Sequence, residues 1–462
     1  MFRSLTKYLL SGIKENIKPI FAWLPYQWRR GATYRYWRNF LDDAQYYSRE
    51  QIDLWQFQQL KQIVRYAYDY TKGYRQLYDK AGVSPDDLHQ PDDIRLLPYV
   101  TKQMLQDNLE DFSVPGALRF YVTTGGTTGI PFGFYLLYEN YEIDDAFIHW
   151  MWSSVGWKPD ECNAVLRGAY IGDESSQWAY DRFRKELLLS SYYLTPATLD
   201  EYLKAISLFR PRVLQSYPSA LGILCDLLKE SGKVDAISFE LIILASENVY
   251  DWLLDKYREV FPESRFFSFY HHSERAILAR WCDHDRSYHL VPFYGFTEIV
   301  AKDGREVQEG EEGELIGTGF HMRGTPFVRY GTGDRAVKGP DHCAACGRSF
   351  QLIRNVAGRT HEILVTASGR HISATAINMH SDVFDHVRQF QFYQDARGIV
   401  EFRLIPKDAY TELDTRKIQA ELRKKLGDDL KLEIRLVQAI EKSKSGKYRF
   451  LDQRLPVVCD ER

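Results

Sequence analysis

The sequence lacks any apolar run that approaches the 18 or so residues needed for a membrane-spanning helix. Its first ten residues include Arg3 and Lys7 but neither a compact apolar stretch nor a small-residue cleavage site, so they do not resemble a secretory signal. Cysteine is also scarce, and the irregular spacing of its six residues is unlike a disulfide framework. We therefore expect a cytoplasmic protein.

A marked excess of charge of either sign is missing as well. The chain has 60 Lys and Arg against 63 Asp and Glu, which gives a formal net charge of -3 at pH 7. Proteins that bind nucleic acid usually carry a clear basic excess, so we expect no nucleic-acid partner. Internal repeats and low-complexity tracts are absent. These features favour small molecules as partners.

The length and the apolar pattern predict two domains of different character. At 462 residues the chain exceeds one ordinary core. Short apolar runs such as 241–245 alternate with helical stretches up to residue 358, which favours an α/β fold. A hairpin, strands near 390, 400 and 432–436, and a helix from about Glu412 to Leu426 then follow. We predict a large N-terminal α/β region of several subdomains over 1–358 and a small, mobile α+β domain over 359–462.

The N-terminal region predicts two helices. Apolar residues recur at helical spacing over 5–17, and the first thirty residues contain six Lys and Arg against the single Glu15. Such a helix could touch an anionic membrane surface, but amphipathicity is also the ordinary state of surface helices. Peripheral membrane contact therefore stays open. A second helix is predicted to begin at Ser48, where Ser48 and Gln51 can form a capping box.

The strongest local motif is the segment Thr-Thr-Gly-Gly-Thr-Thr-Gly-Ile-Pro at 123–131, which follows the strand-like 120–122. Glycines let the backbone approach a polyphosphate, and threonine hydroxyls can donate further hydrogen bonds to its oxygens. The Gly-Lys-Ser/Thr ending of a Walker loop is missing. Taken alone, the segment fits phosphate binding and a flexible glycine turn equally well.

Three further segments could complete a nucleotide site. Tyr270 precedes Glu274, so a ring that can stack on adenine lies near a carboxylate that can hold magnesium. Asp334 ends the segment 330–334, where we expect a tight turn and carboxylate oxygens that accept hydrogen bonds from a ribose diol. Lys447 could lie between a substrate carboxylate and an α-phosphate. Each segment also has a purely structural alternative. Glu274 could lie at a solvated strand end, Asp334 in an Asx-type turn, and Lys447 in a solvated basic loop.

Together and in this order, these segments resemble the signature set of the adenylate-forming superfamily, which includes acyl-CoA synthetases, adenylation domains and luciferases. The resemblance extends over about residues 41–455. It is strongest to the branch that contains phenylacetate-CoA ligase and the related capsular-polysaccharide biosynthesis proteins. The matching segments are 124–131, 270–274, 330–334, the Gly358-Arg359 pair and 445–447.

The resemblance implies an enzyme that activates a carboxylic acid with magnesium-ATP as an acyl-AMP, releases pyrophosphate and transfers the acyl group to coenzyme A. It implies that Lys447, Glu274 and Thr128 are catalytic and that Glu274 binds magnesium. The residues implied to contact the nucleotide are Thr124, Gly126, Thr127, Thr128 and Gly129 at the phosphates, Ser246, Glu247 and Tyr270 at the adenine, and Asp334 and Arg359 at the ribose.

The sequence also departs from the family pattern. The acidic hinge residue that normally follows Gly-Arg has Glu362 as its nearest counterpart, Ile130 replaces a frequent lysine, and His271 replaces a glycine. The acceptor therefore stays open among coenzyme A, a carrier-protein thiol, and an amine or amino sugar in polysaccharide biosynthesis. A non-catalytic nucleotide-binding scaffold in that pathway and a zinc-stabilised module at a membrane surface are alternatives. The acid and the oligomeric state, including a homo-oligomer, are not fixed.

Cys343 and Cys346 have the knuckle spacing that presents two thiolates to one tetrahedral metal, which needs two further ligands. Cys282 and His289 are the candidates, and the polysaccharide-related branch is similar in having a Cys-to-His segment there. The competitors for the fourth position are His284 and His342. A reduced thiol pair and a redox dithiol are the alternatives to structural zinc.

Overall fold

The computed structural model describes most of the chain, and its residues form two compact units. The first unit draws on Met1–Asp42, Glu142–Ile243 and Leu253–Phe267, and the second on Asp43–Tyr141, Leu244–Trp252 and Ser268–Arg462. The predicted basic helix over 5–17 lies outside the described residues. These residues are 29–116, 118–123, 132–168, 171, 177–247, 249, 251–357, 363–369, 371–373, 382–384, 386–440 and 451–455.

The described elements alternate between helix and strand before residue 270 and are mostly strands after it. The helices are α1 (Ala32–Ala44), α2 (Arg49–Tyr70), α3 (Lys72–Ala81), α4 (Lys102–Asp107), α5 (Tyr138–Ser154), α6 (Leu199–Phe209), α7 (Pro218–Glu230), α8 (Asp251–Val260) and α9 (Glu412–Leu426), with short 3₁₀ turns at Pro85–Asp87, Pro91–Leu96, Val234–Ala236 and Asp382–Phe384. None of these helices is both long and apolar enough to cross a lipid bilayer.

The strands complete this list of elements. They are β1 (Arg119–Thr123), β2 (Gly133–Leu137), β3 (Asn163–Arg167), β4 (Trp178–Asp181), β5 (Glu186–Ser190), β6 (Val213–Ser216), β7 (Leu241–Leu244), β8 (Arg265–His271), β9 (Leu278–Trp281), β10 (Tyr288–Leu290), β11 (Gly295–Val300), β12 (Glu312–Gly319), β13 (Tyr330–Lys338), β14 (Leu352–Ala357), β15 (Ile363–Val365), β16 (His371–Ser373), β17 (Val387–Ala396), β18 (Ile399–Pro406), β19 (Lys431–Leu436) and β20 (Leu451–Gln453).

The first unit is built on a mainly parallel sheet. Its strand order is β4-β5-β3-β6-β7, with β3 parallel to β5 and β6 and with β4 antiparallel at the edge. All four residues of β7 are buried, as is typical of a parallel sheet that is covered on both faces. Pro218 stands at the first turn of α7, where its missing N–H costs no helical hydrogen bond. The predicted α/β pattern is therefore confirmed.

The second unit contains an antiparallel sheet with the order β8-β9-β10-β14-β13-β12-β11, in which β8 contributes its residues from Ser268 on. Helices α2 and α3 contribute Leu60, Ile63 and Tyr74 to a hydrophobic core. The same core contains Phe327, which lies in the loop between β12 and β13. The predicted capping box begins α2, because the Ser48 hydroxyl accepts from the N–H of Gln51 and the Gln51 side chain accepts from the N–H of Ser48.

Residues 363–455 of the described part have a separate small core. The hairpin β15–β16 is present as predicted, and α9 has the predicted bounds Glu412–Leu426. Helix α9 packs Ile418 and Leu422 against Phe392 and Phe402 of a four-stranded sheet with the order β19-β18-β17-β20. The predicted α+β character is confirmed. The domain boundary between 358 and 359 stays a prediction, because residues 358–362 lie outside the described part.

A buried ion pair fixes the start of β13. Arg329 donates from Nε to Oε2 of Glu298 at 2.9 Å and from Nη2 to Oε1 at 2.7 Å, and both side chains are 4% exposed. Its Nη1 donates to the carbonyl oxygens of Arg95 and Leu97 at 3.1 Å and 2.5 Å. The pair therefore joins β11, the 95–97 segment and the residue directly before β13.

We expect Glu298→Ala to lower the free energy of unfolding by about 3–5 kcal/mol, because it leaves the Arg329 guanidinium buried without its counter-charge. Urea denaturation followed by tryptophan fluorescence measures this change. The matched control is Glu312→Ala, which removes the surface partner of Arg335 and should cost only about 0.2–1 kcal/mol. Equal losses in the two variants would contradict the anchoring role of the buried pair.

Candidate functional site

The structure describes five of the residues that the sequence assigned to nucleotide binding. They are Ser246, Glu247, Tyr270, Glu274 and Asp334. The described part of the chain thus contains the acidic and aromatic members of the predicted site. The other predicted residues lie outside the described residues: Thr124, Gly126, Thr127, Thr128, Gly129, Arg359 and Lys447, together with the pattern departures Ile130 and Glu362.

Glu274 follows β8 and is held by two hydrogen-bond donors. Its Oε1 accepts from the hydroxyl of Tyr330 at 3.0 Å, and its Oε2 lies 3.1 Å from Nδ1 of His272. The backbone N–H of Ile277 donates to Nε2 of the same imidazole at 3.1 Å. Because Nε2 accepts, the proton of the neutral ring is on Nδ1 and is directed at Glu274. The carboxylate orientation is therefore set from both sides.

Glu274 is ionised although its side chain is only 12% exposed. Burial by itself would raise its pKa, but the hydrogen bond from His272 and the charge of Lys102 lower the pKa to about 2. Lys102 lies at the start of α4. An ionised carboxylate with oxygen lone pairs left over is the ligand type that Mg²⁺ prefers.

Tyr270 and Asp334 form a second pair beside the first. The hydroxyl of Tyr270 donates to Oδ2 of Asp334 at 2.8 Å. Burial and the neighbouring charge of Asp334 raise the pKa of Tyr270 well above its ordinary value, so the phenol stays protonated and can donate. The backbone N–H of Asp334 donates to Oγ1 of Thr332 at 3.1 Å. Asp334 is thus fixed at both its side chain and its backbone.

Asp334 lies within β13, where the sequence had predicted a tight turn. Gly333 takes the left-handed φ of +77°, which favours glycine, and its N–H donates to Oε1 of Glu314 at 3.2 Å. The pairing of β12 with β13 shifts register between Glu314 and Ile316. The local irregularity is therefore a β-bulge, and β13 continues past Asp334 without a turn.

The two remaining described members of the predicted site follow β7. Ser246 is exposed and has a backbone φ of +70°, which is unusual for a residue with a side chain. Glu247 comes next and is partly buried. Such backbone conformations persist only where the surrounding structure determines them, and they are frequent at ligand sites.

His272 and Tyr330 have no predicted role, although both lie within the segments 270–274 and 330–334. Tyr330 reaches Glu274 across 56 positions in sequence, so the contact depends on the arrangement of strands. The contact of His272 with Glu274 depends on the hydrogen bond from Ile277. Neither contact has a signature in the residue spacing alone.

The four predicted metal ligands lie together in the second unit. The ligand atoms of Cys282, His289, Cys343 and Cys346 are all within 4.8 Å of one another, and this group includes neither of the competitors for the fourth position. Burial and the charges of two nearby arginines lower the pKa of His289 to about 4, so the ring is neutral. Burial raises the pKa of Cys282 to about 11, so its thiol keeps its proton unless a metal displaces it.

Comparison with known proteins places these features in a family. The CapK C-terminal domain family matches residues 364–453. The phenylacetate-coenzyme A ligase of Thermus thermophilus is 25% identical over 333 residues, which cover 69% of this chain and 72% of that protein. Protein CapK of Staphylococcus aureus is 23% identical over 375 residues, which cover 77% of this chain and 79% of that protein. The chain is thus similar to the phenylacetate-CoA ligase and CapK-like branch of the adenylate-forming enzymes.

A solved structure supports the fold of this adenylate-forming enzyme. The 2-hydroxyisobutyryl-CoA ligase, in complex with 2-HIB-AMP and CoA in its thioesterification state, superposes with a TM-score of 0.63 at 16% identity. The match covers 89% of this chain and 92% of that one. The predicted family and fold class are therefore confirmed, and the assignments of single residues stay predictions.

The lowered pKa of Glu274 predicts a pH dependence for this adenylate-forming enzyme. Its ionised carboxylate stabilises the folded state above its ordinary pKa of 4.5, and this contribution is lost as the pH falls toward about 2. Between about pH 6 and about pH 3.5, the stability difference between wild type and Glu274→Gln should fall by about 1–2 kcal/mol. Urea denaturation at both pH values measures the free energy of unfolding of the two proteins. A difference between them that does not change with pH would contradict the lowered pKa.

Proposed function

We propose that this protein uses magnesium-ATP to convert a carboxylic acid into an acyl-AMP with release of pyrophosphate, and then transfers the acyl group to coenzyme A. The observation that carries the proposal is the ionised, nearly buried Glu274, held by His272 and Tyr330, in a chain related to phenylacetate-coenzyme A ligases over two thirds of its length. The related solved ligase contains both an acyl-AMP and CoA.

Glu274 is the proposed magnesium ligand. Each of its oxygens accepts one hydrogen bond and retains a lone pair that can face a cation. Glu274 would hold a magnesium ion there, and the ion would supply positive charge that offsets the charge of the phosphates. His272 and Tyr330 hold the carboxylate in place, so that little reorganisation is needed during the reaction.

Asp334 and Arg359 are the proposed ribose ligands. The hydroxyl of Tyr270 fixes Oδ2 of Asp334, which orients the carboxylate to accept hydrogen bonds from a ribose diol. Tyr270, Ser246 and Glu247 are proposed to line the adenine pocket. The glycine-threonine segment is proposed to hold the phosphates through Thr124, Gly126, Thr127, Thr128 and Gly129.

The chemistry follows from these assignments. A carboxylate oxygen of the acid attacks the α-phosphorus, and the phosphorus–oxygen bond to pyrophosphate breaks. Lys447 is proposed to bridge the carboxylate and the α-phosphate, where its charge offsets the negative charge that builds between them. In the second step the thiol of coenzyme A loses its proton, its sulfur attacks the acyl carbon, and AMP leaves. We place this chemistry in the cytoplasm.

A second acceptor class is the alternative to coenzyme A. The chain resembles Protein CapK as well as the phenylacetate-coenzyme A ligases. An amine or amino sugar used in polysaccharide biosynthesis would attack the same acyl carbon through nitrogen. A scaffold that binds nucleotide without catalysis is the remaining alternative.

The test is AMP release from magnesium-ATP over pooled carboxylic acids, with hydroxylamine as the trapping nucleophile. Wild type should form AMP and a hydroxamate only when the right acid is present, and deconvolution of the pool identifies that acid. Lys447→Ala should slow the formation of AMP and of the hydroxamate by about 10²- to 10³-fold, because a preorganised charge is lost. Lys444→Ala, in the same basic segment, is the matched control and should retain the activity.

Two outcomes would contradict the proposal in different ways. Binding of an ATP analogue without AMP release would favour the scaffold. Absence of binding would show that the glycine-threonine segment is wrongly assigned. With acid activation established, replacing hydroxylamine by coenzyme A or by amino sugars distinguishes a thioester product from an amide.

A further inference from the structure

The Cys282, His289, Cys343 and Cys346 cluster has the dimensions of a tetrahedral metal site. Sγ of Cys282 lies 3.7 Å from Sγ of Cys343, and Sγ of Cys346 lies 3.5 Å from Nε2 of His289. Zinc–sulfur bonds of about 2.3 Å and zinc–nitrogen bonds of about 2.0–2.1 Å give tetrahedral edges of about 3.8 Å and about 3.5 Å. Both measured edges therefore match a zinc tetrahedron, and the sulfur separation is too long for a disulfide.

The backbone around the cluster forms a knuckle that presents two of these sulfurs. The N–H of Gly347 donates to the carbonyl of Cys343 at 2.8 Å, and the N–H of Cys343 donates to the carbonyl of Arg348 at 2.9 Å. Gly347 has a φ of +74°, which favours glycine. The turn is thus closed by its own hydrogen bonds and needs no metal to explain its path.

The other two ligands come from the β9–β10 hairpin. Cys282 follows directly after β9, and His289 lies within β10, opposite Arg280 of β9 and Leu352 of β14. Strand pairing thus holds His289 in position, while the cluster joins this hairpin to the connection between β13 and β14. The four ligands therefore converge from two separate hairpin ends.

Burial makes a cluster without a metal unfavourable. Cys282, His289 and Cys343 are 6%, 0% and 2% exposed. The Nδ1 atom of His289 has no hydrogen-bond partner among the described residues, and its Nε2 has only a weak sulfur neighbour. A metal bound at Nε2 would compensate for the hydration that this nitrogen loses on burial.

The charges around the cluster also match a bound divalent ion. Asp283 accepts from Nη2 of Arg280 at 2.5 Å and from Nη1 of Arg348 at 2.9 Å. The Arg280 and Arg348 side chains are 0% and 6% exposed, and the carboxylate of Asp285 also acts on His289. Three thiolates around a divalent ion carry one negative charge, so the two buried guanidinium groups favour the metal-bound cluster.

We propose that Cys282, His289, Cys343 and Cys346 bind one zinc ion in a closed structural site that clamps the β9–β10 hairpin to the β13–β14 connection. Three sulfurs and one imidazole nitrogen are a ligand set that favours zinc over the hard, oxygen-seeking cations. Four protein ligands fill the tetrahedron and leave no position for a substrate. Strand β9 also pairs with β8, which leads to Glu274, so the clamp holds the hairpin next to the proposed magnesium site.

The first test uses the wild-type full chain, prepared with a thiol reductant and without chelator. Elemental analysis and native mass spectrometry should find one zinc per chain. Alkylation with N-ethylmaleimide and peptide mapping should show Cys282, Cys343 and Cys346 protected until a strong chelator is added. The partly exposed Cys162 should react at the same rate before and after chelation.

A set of variants assigns the metal to these residues. Cys346→Ser and His289→Ala should lose the zinc, and the matched control Cys162→Ser should keep one ion per chain. Replacement of zinc by cobalt in the wild type should give the visible absorption of a tetrahedral cobalt thiolate, which does not depend on whether a variant folds.

The proposal is overturned if the reduced wild type contains no metal and all three cysteines are alkylated without chelator. It is also overturned if the metal-free protein forms a reversible disulfide between Cys282 and Cys343, because the cluster would then be a redox dithiol. These measurements count metal ions and reactive thiols and do not involve ATP. A failure of the zinc proposal can therefore be distinguished from a failure of the proposed acid activation.

Discussion

The buried pair of Arg329 and Glu298 is the constraint on which the described half of the site depends. It fixes the chain at the start of β13, the strand that carries both Tyr330 and Asp334. Tyr330 donates to Glu274, and Asp334 accepts from Tyr270. One anchored strand therefore sets the position of both carboxylates. The cost of burying the ion pair is offset by its bidentate geometry and by the carbonyl oxygens that accept from the same guanidinium.

The two carboxylates have partners that suit different tasks. Glu274 receives hydrogen bonds at both oxygens and has a pKa of about 2, so it can meet a divalent cation without first losing a proton. Asp334 is oriented by a phenol that stays protonated, which favours recognition of a neutral diol. The cysteine cluster lies on the hairpin that pairs with β8. A structural metal there would stiffen the segment next to Glu274, away from the reacting atoms.

Local patterns in the sequence predicted the local structure well. The bounds of α9, the capping box at Ser48 and the strand β7 follow from residue spacing and short-range hydrogen bonds. Cys343 and Cys346 were predicted as a pair for the same reason. The cross-strand contact of Tyr330 with Glu274 was missed because it requires the order of strands in the sheet. The bulged path of Asp334 was missed because a glycine followed by aspartate predicts a turn equally well.

The most direct test of the central claim is exchange of labelled pyrophosphate into ATP, which reports reversible acyl-AMP formation without any acceptor. We predict acid-dependent exchange in the wild type. In Glu274→Gln the exchange should be slower and should require a higher magnesium concentration to reach half of its maximum. Exchange that occurs without an acid would contradict acid activation. Exchange whose rate and magnesium dependence are unchanged by Glu274→Gln would contradict the assignment of Glu274 to the magnesium-ATP site.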